Sequence, residues 1–524
     1  MGTATDTNKQ GGKGGGLLAS AAVVSAMTLL SRIMGLVRDV VLARFLGVSA
    51  GTDAFFVAFR IPNFLRRLFA EGAFNQAFVP VLSEYKKQGT HAAAKELIDR
   101  VAGTLGFSLI TVTTLGVLFA PFLIVLFAPG FGKDPVKQLL ATEMLRLTFP
   151  YLFFIALTAF SGSILNTWGR FAVPAFTPVL LNISLITAAL VVAPFFPEER
   201  MAVALAWGVL AAGMLQLMLQ LPFLARLGLL PKPKVDFKDP GVKKIMLLMA
   251  PALFGVSVSQ INLLLDTVLA SLLETGSVTW LYYSDRLMEL PLGLFAIAIG
   301  TVILPSLSAN HAEASQKEFS RTLDWGVRLV VLLAVPAAVA LMVLSDTLLA
   351  ALFYYGEFEL HDVMQSARAL QGYSLGLLAF MLIKVLAPGF FAQQNTRTPV
   401  RIGIIAMVAN MVFNLLLVWH YRHVGLALAT AASAWLNAGL LWRGLRKQGI
   451  YQPGSEWRFL LPRIVFAVLL MGVLVHWMAG LTDVWTMGAA FERAYMLLAI
   501  VALGGATYIG SLVVLGFRVR HLKR

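Results

Sequence analysis

Long apolar segments recur along almost the whole sequence, and they constrain the fold more than any other feature. The 524 residues are 58% hydrophobic and only 13% charged, whereas a soluble domain carries roughly 25% charged residues. A helix needs about 20 apolar residues to cross a bilayer. The sequence therefore predicts an all-α polytopic membrane protein with about 14 transmembrane helices. The fourteen segments are residues 20–46, 53–81, 101–127, 145–165, 174–195, 202–225, 245–273, 277–307, 328–353, 370–391, 400–419, 424–442, 460–479 and 494–517.

Basic residues in the loops predict the orientation. They cluster after the second, sixth, eighth and twelfth segments and at the C-terminus, whereas Glu198, Glu199, Glu357 and Glu359 lie in loops of the opposite side. Because Lys and Arg favour the cytoplasmic side, both termini are expected in the cytoplasm, with a disordered tail at residues 1–16. Topology also accounts for the net charge of +15, so we expect membrane lipids and no nucleic acid as partners.

A short repeated motif predicts two lobes. Residues 78–83 close the second segment and residues 303–308 close the eighth, 225 positions later, while Gly51 and Gly276 open these two segments at the same offset. We therefore expect two pseudo-symmetric six-helix lobes, as in many transporters, followed by two C-terminal helices. The expected boundaries are 17–227 for the N-lobe, 228–241 for a cytoplasmic linker, 242–447 for the C-lobe, and 448–524 for the last two helices and a basic tail.

Charged side chains inside the first, second and eighth segments are the second constraint. An ionised group at the centre of a spanning helix costs at least about 2.5 kcal/mol, so such groups line a polar cavity or pair with one another. The polar residues at positions 60, 63, 67 and 71 follow the spacing of one helical face. The full set is Arg32, Arg38, Asp39, Asp53, Arg60, Asn63, Arg66, Arg67, Glu71, Thr279, Asp285, Arg286 and Glu289.

Two interpretations of these residues stay open. Some acids are expected in intramembrane salt bridges, but six cations stand against five acids, so pairing does not account for every arginine. A cavity with surplus guanidinium groups suits a pyrophosphate, because the planar fork binds phosphate oxygens in pairs. We therefore predict a site for an anionic, lipid-linked substrate, with Arg32, Arg38 and Arg286 as its main ligands. The salt bridges considered are Arg38 with Asp39 or Asp53, Arg67 with Glu71, and Arg286 with Glu289.

A second polar cluster falls in the seventh, eleventh and twelfth segments. Carboxylate, amide and hydroxyl oxygens are hard ligands that suit a small cation, and hydrogen bonds between helices are the alternative. The residues of this candidate cation site are Asp266, Asn410, Asn414 and Thr430.

No cysteine is present in the sequence, which excludes disulfides and thiolate chemistry.

The charged block in the first two segments resembles the signature of the MurJ (MviN) lipid II flippases of the MOP exporter superfamily. The resemblance implies fourteen helices in two lobes around a central cationic cavity, and a groove along the last two segments for a polyprenyl tail. It implies lipid II as the substrate, moved from the cytoplasmic to the periplasmic leaflet of a bacterial inner membrane for cell wall biosynthesis. The motifs that carry it are residues 31–39, 52–74, 166–170, 255–260, 282–289 and 384–390.

The same resemblance assigns roles to individual residues. Some family members bind sodium near the positions of Asp266 and Thr430, but Asn414 stands where a second acid could sit. The coupling agent is thus expected to be Na⁺, H⁺ or the membrane potential, with no other cofactor. Partners from peptidoglycan synthesis or division are compatible with it. The functional arginines of the family fall on Arg32, Arg38, Arg66 and Arg286, and their acidic partners on Asp39, Asp53, Glu71 and Glu289.

Three other functions compete with a lipid II flippase. The first is a related exporter with another cargo, either a drug or cation antiporter or a polysaccharide-repeat flippase. A drug antiporter favours acidic cavity residues, whereas this cavity is basic. A membrane enzyme acting on polyprenyl phosphates needs an acidic metal motif or a nucleophile with its base, and the sequence shows neither. A structural scaffold leaves the intramembrane arginines unexplained. We therefore expect a transporter that works by alternating access, without covalent chemistry.

Overall fold

The structure is a computed structural model that describes residues 11–296, 299, 303–308, 315–480, 485 and 488–518, and all regular elements in these ranges are helical. The chain divides into two compact units, residues 1–260 and 261–524. The α-helices of the first stretch are α1 Gly11–Leu46, α2 Ala50–Leu65, α3 Phe74–Gln88, α4 His91–Leu118, α5 Ala120–Phe127, α6 Pro135–Thr148, α7 Tyr151–Thr167, α8 Ala172–Thr187, α9 Val203–Arg226 and α10 Pro240–Ser271. The later ones are α11 Ser277–Pro291, α12 Gln316–Val343, α13 Ser345–Phe353, α14 Leu360–Ser374, α15 Leu377–Phe391, α16 Arg397–Lys447, α17 Trp457–Gly480 and α18 Ala490–Val514.

Each of the fourteen apolar segments overlaps at least one helix of the structure. Within the described ranges, nine helical stretches are long and apolar enough to cross a membrane, judged by length and composition. The first, second and eighth segments carry the charged residues discussed above, and α16 contains two segments at once. The predicted tail of residues 1–16 overlaps the first turns of α1, and residues 1–10 and 519–524 lie outside the described part of the chain.

The long helix α16 is a hairpin of two helices. Its backbone breaks at Arg422, where φ is 51° and ψ is −132°. Asn410 and Thr430 are twenty residues apart, which corresponds to about 30 Å in a continuous helix, yet Asn410 Nδ2 lies 3.4 Å from Thr430 Oγ1. The turn is tight, because a Cβ atom at Gly425 would lie 2.5 Å from the carbonyl oxygen of Leu417. The eleventh and twelfth predicted segments are therefore separate antiparallel helices.

The first unit packs its helices in pairs, with α1 against α8, α2 against α6, and α7 against α9. Its interior includes a cluster of aromatic side chains from α3 and α7. The ring centroids of Phe74 and Phe78 are 5.1 Å apart, and those of Phe78 and Phe160 are also 5.1 Å apart. Burial of such rings is a large apolar contribution to packing.

In the second unit, α11 packs against α14, α12 against α15, and α17 against α18. A buried carboxylate anchors the connection that leads into α17. Asp324 of α12 accepts hydrogen bonds from the Tyr451 hydroxyl at 2.9 Å and from Trp457 Nε1 at 2.8 Å. Burial and the negative charge of Asp324 raise the pKa of Tyr451 far above its ordinary value, so the phenol stays a proton donor.

Prolines alter the helices at corresponding positions of the two repeated regions. Proline has no N–H, so a helix loses the bond to the carbonyl four residues earlier. A π-helical segment, Arg66–Ala73, follows Pro62 in the first unit, and another, Leu292–Ala296, follows Pro291 in the second. The two segments begin 226 residues apart, close to the 225-residue offset of the sequence motif. Such π-helical turns are frequent at functional sites.

The carbonyls released by proline find partners on neighbouring helices. Pro62 leaves the carbonyl of Ala58 without its helical donor, and the Thr148 hydroxyl of α6 donates to it at 3.2 Å. Pro336 does the same to the carbonyl of Leu332, which accepts from the Tyr508 hydroxyl of α18 at 2.7 Å. A buried carbonyl needs such a donor when no water reaches it. These contacts join neighbouring helices at fixed points.

Candidate functional site

Arg38 is the most enclosed of the arginines predicted to bind the substrate. It lies in α1 and is only 5% exposed. Its guanidinium donates to Asp39 Oδ1 from Nε at 2.9 Å and from Nη2 at 2.6 Å, and to Asn182 Oδ1 from Nη1 at 3.0 Å. Asn182 in turn donates to the carbonyl of Ser31 at 3.1 Å. The predicted Arg38–Asp39 salt bridge is therefore present, and Asn182 of α8 fixes the plane of the guanidinium.

Asp53 forms a second buried ion pair in the same unit. Lys137 Nζ donates to Asp53 Oδ2 at 2.8 Å, and the two residues are 5% and 1% exposed. The ammonium also lies 4.5 Å from the centroid of the Phe131 ring, a cation–π contact. Asp134 caps α6 by accepting from the backbone N–H groups of Val136 and Lys137, at 3.0 and 3.1 Å. This cap starts the helix early enough to bring Lys137 to α2.

The remaining predicted residues of the first unit lie in α1, α2 and the π-helical segment Arg66–Ala73. Arg32 is exposed, whereas Arg60, Asn63, Arg66 and Arg67 are half-buried. Arg66 Nε donates to Asn63 Oδ1 at 2.9 Å. The side chain of Glu71 lies outside the described part of the chain, so the Arg67–Glu71 salt bridge stays a prediction.

The predicted residues of the second unit lie on α11. Arg286 Nη1 donates to Glu289 Oε2 at 3.3 Å, and its guanidinium carbon lies 5.3 Å from the centroid of the Tyr282 ring. The predicted Arg286–Glu289 pair is thus present, and both side chains are about two-fifths exposed. Thr279 is fully buried and Asp285 is half-buried. Arg286 therefore keeps solvent access while its orientation is fixed by an acid and an aromatic ring.

The four residues of the candidate cation site meet in the second unit. Asn414 Nδ2 donates to Asp266 Oδ1 at 2.7 Å and to Asn410 Oδ1 at 3.1 Å. Thr430 Oγ1 lies 3.4 Å from Asp266 Oδ2. The Oδ1 atom of Asn414 is buried without a hydrogen-bond partner, and an amide side chain can turn to exchange its oxygen and nitrogen. One carboxylate with several neutral oxygens fits a small monovalent cation.

Three residues that contact the predicted site residues were not predicted from the sequence. Asn182 sits alone in an apolar segment, and a polar residue at such a position is a signal of function. Lys137 precedes the fourth apolar segment and therefore looks like a loop residue. Ser433 completes the polar cluster, where its hydroxyl accepts from Asn410 Nδ2 at 3.3 Å. Its position three residues after Thr430, on the same helical face, is the signal that could have found it.

Comparison with known proteins gives one consistent family. The family model described as "Lipid II flippase MurJ" matches residues 42–496. The chain is 51% identical over 514 residues to a probable lipid II flippase MurJ of Vibrio cholerae, covering 97% of this chain and 98% of that protein. It is 49% identical over 509 residues to the Haemophilus influenzae protein of the same description, covering 95% and 99%. Identity to the Burkholderia cenocepacia lipid II flippase MurJ is 44%, with 97% and 99% coverage.

Solved structures agree with these relatives. A lipid II flippase MurJ in an inward closed conformation matches with a TM-score of 0.80 and 26% identity, covering 96% of this chain and all of that one. A multidrug resistance MATE transporter of the MOP superfamily, in an inward-facing conformation, matches with a TM-score of 0.68 and 14% identity. That match covers 82% of this chain and 98% of the transporter. At such low identity the likeness to the MATE transporter concerns the fold alone.

Proposed function

This chain belongs to the lipid II flippase MurJ family, and from that premise we propose that it moves lipid II from the cytoplasmic to the periplasmic leaflet of the bacterial inner membrane. The substrate is a peptidoglycan precursor linked to undecaprenyl pyrophosphate. Both termini lie in the cytoplasm in this proposal, in accordance with the basic loops. The chain acts as a transporter by alternating access and makes no covalent bond to its substrate.

The observation that carries this proposal, beyond family membership, is the arginine held inside α1. Arg38 is buried and oriented by Asp39 and Asn182, and Arg32 is exposed on the same helix. Six residues of helix separate them by about 9 Å along the axis. Guanidinium groups bind phosphate oxygens bidentately, and a prearranged fork loses little freedom on binding. These arginines therefore suit the pyrophosphate of lipid II.

The paired acids set how strongly the arginines hold an anion. A guanidinium presents five N–H donors, so one arginine can bind a carboxylate and a phosphate at the same time. The carboxylates also reduce the net positive charge that each arginine places in a low-dielectric environment. A moderate affinity of this kind suits a transporter, because the substrate must leave on the other side. Arg286 with Glu289 repeats the arrangement on α11.

Two driving forces fit the proposal. A membrane potential that is negative inside favours outward movement of an anion by about 2.3 kcal/mol per charge per 100 mV. A monovalent cation, Na⁺ or H⁺, is the second candidate. Asp266 and its neighbours Asn410, Asn414 and Thr430 would hold it, and it would neutralise the carboxylate there. The orphaned Oδ1 of Asn414 favours Na⁺, because it offers an additional oxygen ligand.

The experiment that tests the substrate site compares variants of single arginines in proteoliposomes. Arg38→Gln should lower the initial rate of lipid II translocation at least about tenfold, because a charge-assisted bond to phosphate contributes about 1.5–3 kcal/mol. Arg443→Gln is the matched control, since this arginine is exposed on α16 at the end remote from the break. Equal rates for both variants, at equal amounts of folded protein, would overturn the role of Arg38.

A further inference from the structure

A polar cavity opens in the second unit, away from the residues assigned to substrate or cation. Its volume is about 590 Å³, and it forms where α14, the turn after α10 and the break in α16 meet. The predicted topology places these chain ends on the periplasmic side. Its polar lining consists mainly of Glu274, Gln365, Arg368, His420, Arg422 and His423. Hydrogen-bond donors and cations therefore predominate around it.

Arg422 holds a strained backbone conformation at the rim of this cavity. Its φ of 51° with ψ of −132° belongs to a region that favours glycine, so an arginine there is strained. Its Nη1 donates to both carboxylate oxygens of Glu274 at 2.9 Å. An exposed bridge of this kind contributes little to stability. The bridge does not offset the strain, and strained residues of this kind cluster at functional sites.

Arg368 supplies the second guanidinium. It lies two turns into α14 and is exposed, and no described residue forms a hydrogen bond or ion pair with it. Behind it, His423 is a fixed part of the cavity wall. His423 Nε2 lies 3.0 Å from the carbonyl oxygen of Gln365, and the imidazole centroid lies 5.0 Å from the Trp280 ring. Asp346 is close enough to interact electrostatically with Arg368, but no described hydrogen bond or ion pair occupies the guanidinium. This exposed arginine on a rigid wall can therefore bind an anion.

The surroundings indicate which anion reaches the cavity. Trp419 and Tyr421 lie just before the break at Arg422 and are 68% and 56% exposed. Such exposure is expected for aromatic side chains at the level of lipid headgroups. The helical stretch Leu360–Phe391 has 32 residues and is about 48 Å long, against a hydrocarbon core of about 30 Å. Arg368 stands about 12 Å from its first residue. With the stretch centred in the bilayer, each end projects about 9 Å, which leaves the backbone of Arg368 about 3 Å inside the hydrocarbon boundary. A long arginine side chain reaches the phosphates from that depth.

We propose that this cavity binds the phosphodiester headgroup of an anionic phospholipid in the outer-facing leaflet. Arg368 is the main phosphate ligand, and Arg422 and His420 supply further N–H donors. The Glu274 bridge orients the Arg422 side chain through Nη1 and leaves its Nε and Nη2 groups to face the cavity. This site goes beyond the proposed translocation activity, and a binding measurement tests it whether or not the chain moves lipid II.

The experiment is native mass spectrometry of the full chain in detergent, titrated with phosphatidylglycerol, phosphatidylcholine or inorganic phosphate. We expect phosphatidylglycerol to bind more tightly than phosphatidylcholine, and inorganic phosphate not to displace it at equal concentration. Arg368→Gln should weaken phosphatidylglycerol binding at least about tenfold, as expected for a lost charge-assisted contact. Arg368→Lys should retain part of the affinity, because it keeps the charge and loses the bidentate fork.

The matched control is again Arg443→Gln, which removes an exposed arginine of the same helical hairpin far from the cavity. Equal phosphatidylglycerol affinity for Arg368→Gln and Arg443→Gln would overturn the site. Full displacement by inorganic phosphate would overturn the phospholipid as its occupant. If Arg368→Gln does not fold, Arg368→Lys decides alone, and affinity equal to that of the unchanged chain would then contradict the proposal.

Discussion

The buried ion pair between α2 and α6 gives the sharpest test of the packing described above. Lys137 Nζ and Asp53 Oδ2 are 2.8 Å apart, and both side chains are almost fully enclosed. Replacing Lys137 by methionine keeps the unbranched shape and most of the length of the side chain, and it removes the charge. The carboxylate of Asp53 then stays buried without its ammonium partner. Breaking a buried pair in this way costs about 3–5 kcal/mol, and we expect that loss in the free energy of unfolding.

A second variant separates the charge from the packing. Lys137→Met combined with Asp53→Leu removes both charges and fills the space with apolar atoms. Replacement of a complete buried pair is often neutral or stabilising, so the double variant should recover most of the lost stability. The assay is reversible unfolding in mixed micelles, followed by tryptophan fluorescence. Lys133→Met is the control, because that lysine is exposed four residues earlier and should change stability by less than about 0.5 kcal/mol.

Either of two results would contradict the stabilising role of the Lys137–Asp53 pair. One is a loss below about 1 kcal/mol for Lys137→Met, which is the range of exposed salt bridges. The other is a double variant as unstable as the single one, which would show that the charge imbalance is not the source of the loss.

Three further predictions concern other contacts of the two units. Tyr508→Phe removes the donor to the Leu332 carbonyl and should destabilise the chain by about 1–3 kcal/mol, whereas Tyr495→Phe, an exposed change on the same helix, should have no measurable effect in the same unfolding assay. Asn182→Leu should slow lipid II translocation in proteoliposomes while Asn182→Asp, which keeps an oxygen acceptor, retains more activity; equal rates would contradict the positioning role. Sodium, compared with choline at equal ionic strength, should raise the melting temperature, and Asp266→Asn should abolish that increase.

Apolar patterning carries most of the fold in this chain. Because lipid admits only elements that satisfy their own backbone groups, a long apolar segment already implies a helix. The same reasoning explains why the charged residues in α1, α2 and α11 were predicted to line a substrate site. Arg38 and Asp39 are neighbours on α1, and Arg286 and Glu289 are neighbours on α11. Their spacing alone therefore suggested both pairs.

Contacts between distant segments could not be predicted from the sequence. Asn182 reaches Arg38 across 144 positions, and Lys137 reaches Asp53 across 84. Periodicity reports which face of a helix is polar, but not which helix lies opposite. The exact start of α6 was also needed to predict this pair. The cap at Asp134 places Lys137, which looks like a loop residue in the sequence, inside the helix as the buried partner of Asp53. The strained turn at Arg422 gave no signal, because arginine is not a residue expected at positive φ.

The most direct measurement of the central claim is the translocation of lipid II in proteoliposomes that contain this chain alone. Lipid II is placed in one leaflet, and its appearance in the other is followed with a probe that does not cross the membrane. The proposed function predicts translocation well above that of empty liposomes, with a tenfold or greater loss for Arg38→Gln, as expected for a lost charge-assisted phosphate contact. Equal transfer in liposomes with and without correctly folded protein, under an imposed membrane potential and a sodium gradient, would contradict it.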